Sequence, residues 1–409
     1  MPADLGAPRL PGCKSHAQRA LLLAAFSAGE RLLRGVPDGD DVACLERVLR
    51  SWGRDVQARG DERRVTGAPL RPGQQLQAHV GENGTAARTL LMLVPLLGGC
   101  LQLDGAPGLR RRPFGAAVRA LRALGVACSS DELPLQADGS AGLSTAARSW
   151  RVDAAVSTQP ATGLVLALAL AGGGELVANA PRAGGYLHLT AAVLRAFGLV
   201  VEEQHDAGAS CFTVAGTAPP AGEYAVPPDA SARAFVAALA AMHGVHPPAG
   251  LDAFHFGSHP DLQIDEDLRC LFANADRDVQ LRGLGARPDC VPVLAAAAAT
   301  RPGTTRLCDL PNLRHKESDR LAAMAAGLTA AGARATTEGD DLVVEGPLRD
   351  GAEAAHLPTA ADHRVVMALA LLGTVRRGGV IVDHGAAVAK SWPGFFDWLA
   401  RCADVRQLL

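Results

Sequence analysis

Gly53, Gly125 and Gly198 follow one another at intervals of 72 and 73 residues, and Gly332 lies 134 residues further on, close to two more periods. Each closes the same local pattern: an amphipathic helical run, a glycine, then a short β-branched or alternating stretch. The runs are Leu45 to Arg50, Val118 to Gly125, Val193 to Gly198 and Met324 to Gly332, and Leu342-Val343-Val344 is the clearest strand after one of them. A glycine just past the last helical turn takes the left-handed backbone angles that stop a helix, and the stretch after it has strand character. Leu268 to Asn274 and Phe395 to Cys402 are weaker copies that fill the gaps. Helices that stop at glycine occur in any α/β chain, but a fixed period restricts the fold far more. The pattern implies about six αβ units of about 70 residues in a chain of 409. That period is too long for the common solenoids and fits a pseudo-symmetric pair of domains with three units each, for which the length suffices. The Pro-rich stretches Thr217 to Pro228 and Pro247-Pro248 are candidate linkers.

Charge and cysteine usage remove several classes of function. The 40 basic and 42 acidic side chains nearly cancel, so the basic surplus of a nucleic-acid binder is missing. Nine cysteines are scattered, odd in number and never spaced C-x-x-C. This argues for reduced thiols in the cytoplasm, and against a disulfide framework or a thiolate zinc site. No apolar segment precedes Leu10, so Leu10-Pro11-Gly12-Cys13 lacks the context of a lipoprotein signal. The longest apolar runs, Leu164 to Ala171 and Val293 to Ala299, fall well short of the ~20 residues that span a bilayer. They read as buried helices, with no membrane partner.

Six segments carry chemistry, most of them where a loop enters a helix. Pro11-Gly12-Cys13-Lys14-Ser15 leads into Ala20 to Phe26, with Ser15 available as N-cap and Lys14 and Arg19 as cations. Helix starts present free N–H groups that hold anions, although a capped helix with two surface cations would look the same. It is not a Walker A loop, since Gly and Lys are not adjacent. Gly81-Glu82-Asn83-Gly84-Thr85-Ala86-Ala87-Arg88 enters the apolar run Thr89 to Leu97, and again an anion site or a capped core helix fits. Arg110-Arg111-Arg112 is either a solvated charge run or one functional arginine with two bystanders. Asn312-Leu313-Arg314-His315-Lys316-Glu317-Ser318-Asp319-Arg320 is dense in alternating charge, as an exposed salt-bridged turn would be. Asp362-His363-Arg364 precedes the run Val365 to Leu372, and Ala389-Lys390-Ser391 follows. Together these segments offer many cations, a few carboxylates and one or two histidines. Binding two polyanions and moving protons between them needs that combination.

The strings Lys316-Glu317-Ser318-Asp319-Arg320, Asp362-His363-Arg364 and Pro11-Gly12-Cys13-Lys14-Ser15 resemble the 5-enolpyruvylshikimate-3-phosphate synthase family. They are more distantly similar to the UDP-N-acetylglucosamine enolpyruvyl transferases. Gly84-Thr85-Ala86-Ala87-Arg88, Arg112-Pro113, Val156-Ser157-Thr158-Gln159, Pro288-Asp289 and Ala389-Lys390 add to the resemblance, which runs in order from Leu10 to about Leu399. It implies an α/β (α+β) fold: a two-domain inside-out α/β barrel of six βαβαββ repeat units, three per domain. Residues 13–226 would form the domain on the acceptor side, and residues 1–12 with 227–409 the discontinuous second one.

The implied reaction moves the enolpyruvyl group of phosphoenolpyruvate to the 5-hydroxyl of shikimate 3-phosphate, on the way to chorismate and the aromatic amino acids. By the resemblance, Asp289 is the base for the hydroxyl with Lys14 assisting, Glu317 the acid at C3, and His363 orients or assists it. Arg320 and Arg364 would clamp the phosphoenolpyruvate carboxylate, a use that suits a bidentate fork. Lys14, Arg112, Lys390 and the amide of Gly84 would hold its phosphate, with Arg88 nearby. Ser15 and Arg19 would hold the acceptor's carboxylate, and Ser157, Thr158, Gln159, Tyr186, Asp289, Asn312 and Lys316 would complete the acceptor site. No cofactor and no metal is expected, and no nucleic acid or membrane; the chain is expected to be a cytoplasmic monomer.

The sequence also departs from the family pattern. Cys13 stands for a serine, Ala17-Gln18 for Ser-Asn, Glu82 for an asparagine beside the phosphate site, Ala183 for a serine, and Pro160 for an aromatic. A carboxylate at position 82 would repel phosphate unless paired or turned away. The changes fall mostly on the acceptor side, so a paralogue with the same chemistry and another phosphorylated alcohol is an alternative, as is a non-catalytic binding protein of the same fold.

Overall fold

The computed structural model describes residues 8–141, 149–180, 184–206, 208–217, 221–248, 251, 257, 259–273, 277–349 and 351–407. The chain divides into two compact units, Gly12–Pro227 and a discontinuous one made of Met1–Pro11 with Pro228–Leu409. The division falls at the end of the Pro-rich stretch Thr217 to Pro228. That stretch is more than a linker. It carries the strand Gly222–Ala225, which pairs in parallel with Gly29–Arg34 and completes the first sheet of its unit. Pro247-Pro248 lies inside the discontinuous unit and is no boundary.

The unit 12–227 holds three four-stranded sheets of one topology. In each, a parallel pair is extended by two antiparallel strands: Gly222–Ala225, Gly29–Arg34, Glu62–Gly67 and Asp55–Arg59 in the first, Gln75–His79, Cys100–Asp104, Leu135–Asp138 and Ala127–Cys128 in the second, Ser149–Asp153, Gly173–Asn179, Ala209–Ala215 and Val200–Asp206 in the third. Two helical connections accompany each sheet, each split into two segments in the second repeat (Gly84–Leu91 with Val94–Leu97, and Pro107–Arg110 with Gly115–Ala123), so the repeat is βαβαββ, with the first strand of the first repeat supplied by residues 222–225. In the other unit the same topology recurs in Val279–Leu281, Gly303–Leu307, Asp341–Gly346 and Arg334–Glu338. Ala355–Leu357 and Val380–Val382 form a parallel two-stranded sheet. The helices Ala230–Met242 and Ile264–Ala273 make a sixth helix pair, with no strand beside it among the described residues.

Within a repeat the two helices differ in kind. The first is buried on nearly every face: Lys14–Phe26, Gln159–Leu170, Ala230–Met242, Val291–Ala298 and His363–Leu372 are of this kind. A helix apolar all round belongs inside a core. The second is amphipathic and, where the glycine period applies, ends as the sequence predicts: Gly53, Gly125, Gly198 and Gly332 have φ of 76°, 82°, 86° and 106°. Strands alternate buried and exposed residues, as in Glu62–Gly67, so one sheet face meets the core and the other meets water. Small residues set how close the inner helices come. A Cβ on Gly163 would lie 2.7 Å from Met92 Cβ, and one on Gly327 would lie 2.3 Å from Leu369 Cδ1. Each buried Leu, Val or Phe in these cores contributes about 1.5–3 kcal/mol relative to exposure. The same packing fixes where the inner helices begin, and the site residues gather there.

Candidate active site

In the unit 12–227, the helix Lys14–Phe26 starts against a neighbouring chain segment. A Cβ on Gly12 would stand 1.7 Å from the Gly35 carbonyl oxygen, so no other residue fits. Cys13, extended at φ −68° and ψ 112°, is the N-cap residue, with its N–H donating to the Pro227 carbonyl at 2.7 Å. This corrects the expectation of a Ser15 cap: Ser15 already lies in the first helical turn, where its backbone is committed. Lys14 Nζ is 3.0 Å from the Asp41 carboxylate, itself nearly buried in the first turn of Asp40–Ser51.

The second helix start is capped by Asn83, whose side-chain oxygen accepts from the Ala86 N–H at 2.9 Å while its amide donates to the Asp41 carbonyl at 2.7 Å. Around the first residue of this helix, Gly84–Leu91, two guanidiniums converge. A Cβ on Gly84 would lie 2.9 Å from Arg112 Nη1, 3.0 Å from Arg88 Nη1 and 3.6 Å from Gln159 Oε1. Arg88 donates to Gln159 Oε1 and to the Pro113 carbonyl, both at 2.8 Å, and stacks over Phe114. Gln159 in turn donates to Thr85 Oγ1 at 3.0 Å. The triple arginine resolves into one buried member, Arg112, and two outward ones, of which Arg110 pairs with Asp104. Glu82 is turned and paired: it accepts from the Gly108 N–H at 2.9 Å and stands 3.7 Å from Arg112 Nη2.

Arg19 is 4% exposed. It donates to Thr190 Oγ1 at 2.8 Å, Thr162 Oγ1 at 3.2 Å and the carbonyls of Ser15 and Tyr186 at 2.8 and 3.3 Å. Burial lowers its guanidinium to about 10, because the polar groups around it carry no full negative charge to offset the lost water. Thr158 is buried at the N-cap position of Gln159–Leu170, and Ser157 Oγ accepts from the Gln159 N–H at 3.2 Å. Pro160 sits in the first turn, where its missing N–H has no helical partner to lose. Tyr186 is half-buried and offers its carbonyl to Arg19. Gln18 is 1% exposed, with neither amide atom hydrogen-bonded among the described residues. Ala183 lies outside the described residues.

In the discontinuous unit, the charged string that an exposed turn would have explained is built around a buried guanidinium. Arg320, whose side chain is 1% exposed, donates from Nε to Asp362 Oδ2 at 2.8 Å, from Nη1 to Asp289 Oδ1 at 2.8 Å and from Nη2 to Glu317 Oε2 at 2.9 Å. Burial alone would lower this group, but the charges of Asp362, Glu317 and Asp289 outweigh it and hold it well above its ordinary value. Arg364 is treated alike: burial works against it, and Asp289, with Oδ2 3.5 Å from Arg364 Nη2, raises it. Lys390 Nζ lies 3.1 Å from Glu317 Oε1, so Glu317 is held from both sides.

Helix starts orient this network. Asp362, fully buried, caps His363–Leu372 by accepting from the Arg364 N–H at 2.9 Å, and Asp319 caps Arg320–Ala331 by accepting from the Ala322 N–H at 3.1 Å. The helix after Asp362 therefore begins at His363 rather than at Val365. His363 is buried, with Nδ1 3.6 Å from Asp362 Oδ1. One ligand-capable atom from each of Glu317, Asp362 and His363 lies within 4.8 Å of the others, but guanidinium and ammonium groups already neutralise those carboxylates. Asn312 spends its amide on the Gly285 carbonyl at 3.0 Å, and Lys316 follows it, half-buried, at the end of the turn Pro311–His315. Sequence reasoning gave no role to Asp41, Asn83, Thr162, Thr190 or Ser318, whose Oγ donates to Asp362 Oδ2 at 3.2 Å. Only Asn83 carried a signal, an Asn directly before a Gly-Thr helix start.

Comparison with known proteins gives the lineage of the chain. The family model described as EPSP synthase (3-phosphoshikimate 1-carboxyvinyltransferase) matches residues 6–246 and 276–399. A 3-phosphoshikimate 1-carboxyvinyltransferase of Pseudomonas syringae pv. syringae is 34% identical over 95% of this chain and 93% of its own. One of Halobacterium salinarum is 31% identical over 97% and 96%. Among solved structures, an EPSP synthase from Acinetobacter baumannii superposes with a TM-score of 0.69 at 21% identity, covering 96% of this chain and 94% of that one. The enolpyruvyl transferase NikO from Streptomyces tendae gives 0.67 at 16%, covering 97% and 94%. The structural likenesses speak for the fold, and the matched family model and the sequence relatives for the lineage: the chain belongs to the EPSP synthase (3-phosphoshikimate 1-carboxyvinyltransferase) family.

Proposed function

We propose that the chain transfers the carboxyvinyl group of phosphoenolpyruvate to the 5-hydroxyl of shikimate 3-phosphate and releases phosphate. The observation that carries this reading is Glu317 held between Arg320 Nη2 at 2.9 Å and Lys390 Nζ at 3.1 Å, beside Asp289 on the same arginine. Addition of a hydroxyl to C2 of an enol phosphate needs a proton acceptor for the hydroxyl, a proton donor for C3, and cations for the carboxylate and phosphate. Asp289 serves as the acceptor. In the free protein it is bound to Arg320 and faces Arg364. A substrate carboxylate that takes over those guanidiniums would release Asp289 to receive the hydroxyl proton. Glu317 serves at C3, where the neighbouring Lys390 ammonium is a proton source within reach, and His363 helps to orient it. The tetrahedral adduct then loses phosphate, and the same carboxylate takes back a C3 proton. Arg112, Arg88, Lys14 and the helix start at Gly84 suit the phosphate. Buried Arg19, with no carboxylate partner among the described residues, suits the acceptor's acid group, and Ser157, Thr158, Gln159 and Tyr186 of one unit and Asn312 and Lys316 of the other are the residues proposed for the rest of the acceptor.

We also propose a cytoplasmic monomer. No helix among the described residues is long and apolar enough to cross a membrane. Val156 and Val200 are the exposed large hydrophobics among those residues, which leaves little apolar surface for a permanent partner.

The test is phosphate release from phosphoenolpyruvate with and without shikimate 3-phosphate, in the parent and in Glu317→Gln. Release that requires shikimate 3-phosphate and drops at least a hundredfold in Glu317→Gln supports the reaction, the acceptor and the residue. Release driven by another phosphorylated alcohol alone would keep the chemistry and overturn the acceptor. Binding of phosphoenolpyruvate with no turnover of any acceptor would make the chain a non-catalytic member.

A further inference from the structure

The third sheet of the unit 12–227 carries a cluster that the transfer reaction does not use. His188 projects from the helix Gly185–Ala196, while Glu203 and His205 stand two apart on the edge strand Val200–Asp206 and so share one face of it. Tyr186 and Thr190, which serve Arg19, are each two residues from His188 and therefore roughly 200° around the helix from it. The two imidazole rings are 4.4 Å apart, centroid to centroid. His188 Nδ1 lies 2.5 Å and His205 Nε2 3.6 Å from the same Glu203 oxygen, Oε2. That oxygen is buried and accepts no hydrogen bond among the described residues, so neither ring presents an N–H aligned with it. Two nitrogens crowd a carboxylate oxygen without satisfying it.

We propose that His188, Glu203 and His205 form a binding site for a divalent transition-metal ion of the zinc type. One ligand atom from each residue lies within 4.8 Å of the other two. Metal–ligand bonds of about 2.0–2.2 Å set tetrahedral ligand atoms roughly 3.3 Å apart. The set therefore needs shifts of about 1 Å, in imidazoles that are 45% and 38% exposed. The supports are in place. Arg195 holds the other carboxylate oxygen, Oε1, at 2.8 Å and is itself fixed by the Val201 carbonyl at 2.6 Å. Ser210, opposite His205 in register, lies with Oγ 2.9 Å from His205 Nδ1. An Nδ1–H donated to that hydroxyl leaves the Nε2 lone pair facing the cluster, as in sites where an outer hydrogen bond fixes the ligand tautomer. Two imidazoles and one carboxylate favour zinc, copper or nickel over magnesium or calcium. The Arg195 charge lowers affinity for any cation, and water would fill the fourth position.

The experiment is titration of the full chain with zinc chloride by calorimetry, and with cobalt(II) followed by absorption, for the parent, His188→Gln and His205→Gln. The melting temperature of each variant confirms its fold. One zinc per chain, an affinity at least tenfold weaker in each variant, and a cobalt spectrum without a thiolate charge-transfer band support the site. Absence of binding, binding unchanged by both substitutions, or a thiolate band that assigns the metal to cysteines would overturn it. Neither side chain has a part in the proposed transfer reaction, so failure of one proposal leaves the other standing.

Discussion

Replacing Arg320 by methionine removes one cation and keeps most of the side-chain volume. Arg320 is 1% exposed and bridges three carboxylates, of which Asp362 is fully buried and Asp289 and Glu317 are 21% and 16% exposed. Without the guanidinium these carboxylates repel one another, although Arg364 and Lys390 still stand beside them. Breaking a buried pair by deleting one partner costs about 3–5 kcal/mol. In a folding unit of about 150–250 residues, 1 kcal/mol moves the melting temperature by about 2–4 °C. The expected drop is therefore about 6–20 °C, read by scanning calorimetry against the parent at one scan rate. The exposed pair Arg406–Asp404, at 78% and 73%, is the control: Arg406→Ala should change stability by less than about 0.5 kcal/mol. The sign of the pH dependence also follows. A folded-state value raised well above that of the unfolded chain gives stabilisation that is complete below the unfolded value and lost only as pH climbs through the folded one. The Arg320 contribution itself is thus the same at pH 6 and pH 9. Adding Glu317→Gln to Arg320→Met should restore about 0.5–3 kcal/mol by removing one of the repelling charges. A drop of under about 3 °C, or one no larger than that of Arg406→Ala, would refute the reasoning.

Two further outcomes follow from the unit 12–227. Gly84→Ala places a Cβ 2.9 Å from Arg112 Nη1 and 3.0 Å from Arg88 Nη1, so both guanidiniums retreat by about half an ångström. With charge-assisted bonds contributing about 1.5–3 kcal/mol, KM for phosphoenolpyruvate should rise about 10- to 100-fold while the melting temperature holds; an unchanged KM would remove these arginines from the phosphate site. Arg19, lowered by burial to about 10, carries an unfavourable charge that is constant below pH 10 and relieved only as pH climbs from there to the ordinary arginine value, a cost of roughly 3 kcal/mol at neutral pH. A bound acid group offsets it, so shikimate 3-phosphate should raise the melting temperature of the parent far more than that of Arg19→Met, and equal shifts in both proteins would show that Arg19 does not meet the ligand.

The repeat was legible in the sequence because its signal is local. A glycine with positive φ after an amphipathic helix needs no tertiary partner to be recognised, and Gly53, Gly125, Gly198 and Gly332 all adopt it. The strand Gly222–Ala225 was not legible, because its identity as a strand rests on pairing with Gly29–Arg34 nearly two hundred positions away. The site divides the same way. Motif residues stood out as charged groups at helix starts. Their partners did not: Asp41 under Lys14, and Thr162 with Thr190 around Arg19, are ordinary helix residues whose role exists only once helices meet. The Ser15 cap failed for a related reason. Cap preference names suitable residues, but the contact of Gly12 with Gly35 decides where the helix begins.

The two buried arginines differ in a way that bears on how substrates bind. Arg320 finds its anions within the chain, so a ligand carboxylate there must exchange with Asp289 and gains only the difference between the two partners. Arg19 has hydroxyls and carbonyls but no carboxylate partner among the described residues, so an acid group there adds a charge pair without displacing one. Buried ion pairs are seldom net stabilisers against an apolar core of the same shape. What the Arg320 network supplies is placement: it fixes Glu317 and Asp289 on one guanidinium and ties both to the cap of His363–Leu372 through Asp362. If exchange at Asp289 is the event that frees the base, phosphoenolpyruvate must occupy the guanidiniums before the hydroxyl can be deprotonated. Asp289→Asn should then bind phosphoenolpyruvate at least as tightly as the parent while losing turnover, whereas a purely structural role for Asp289 would weaken both together.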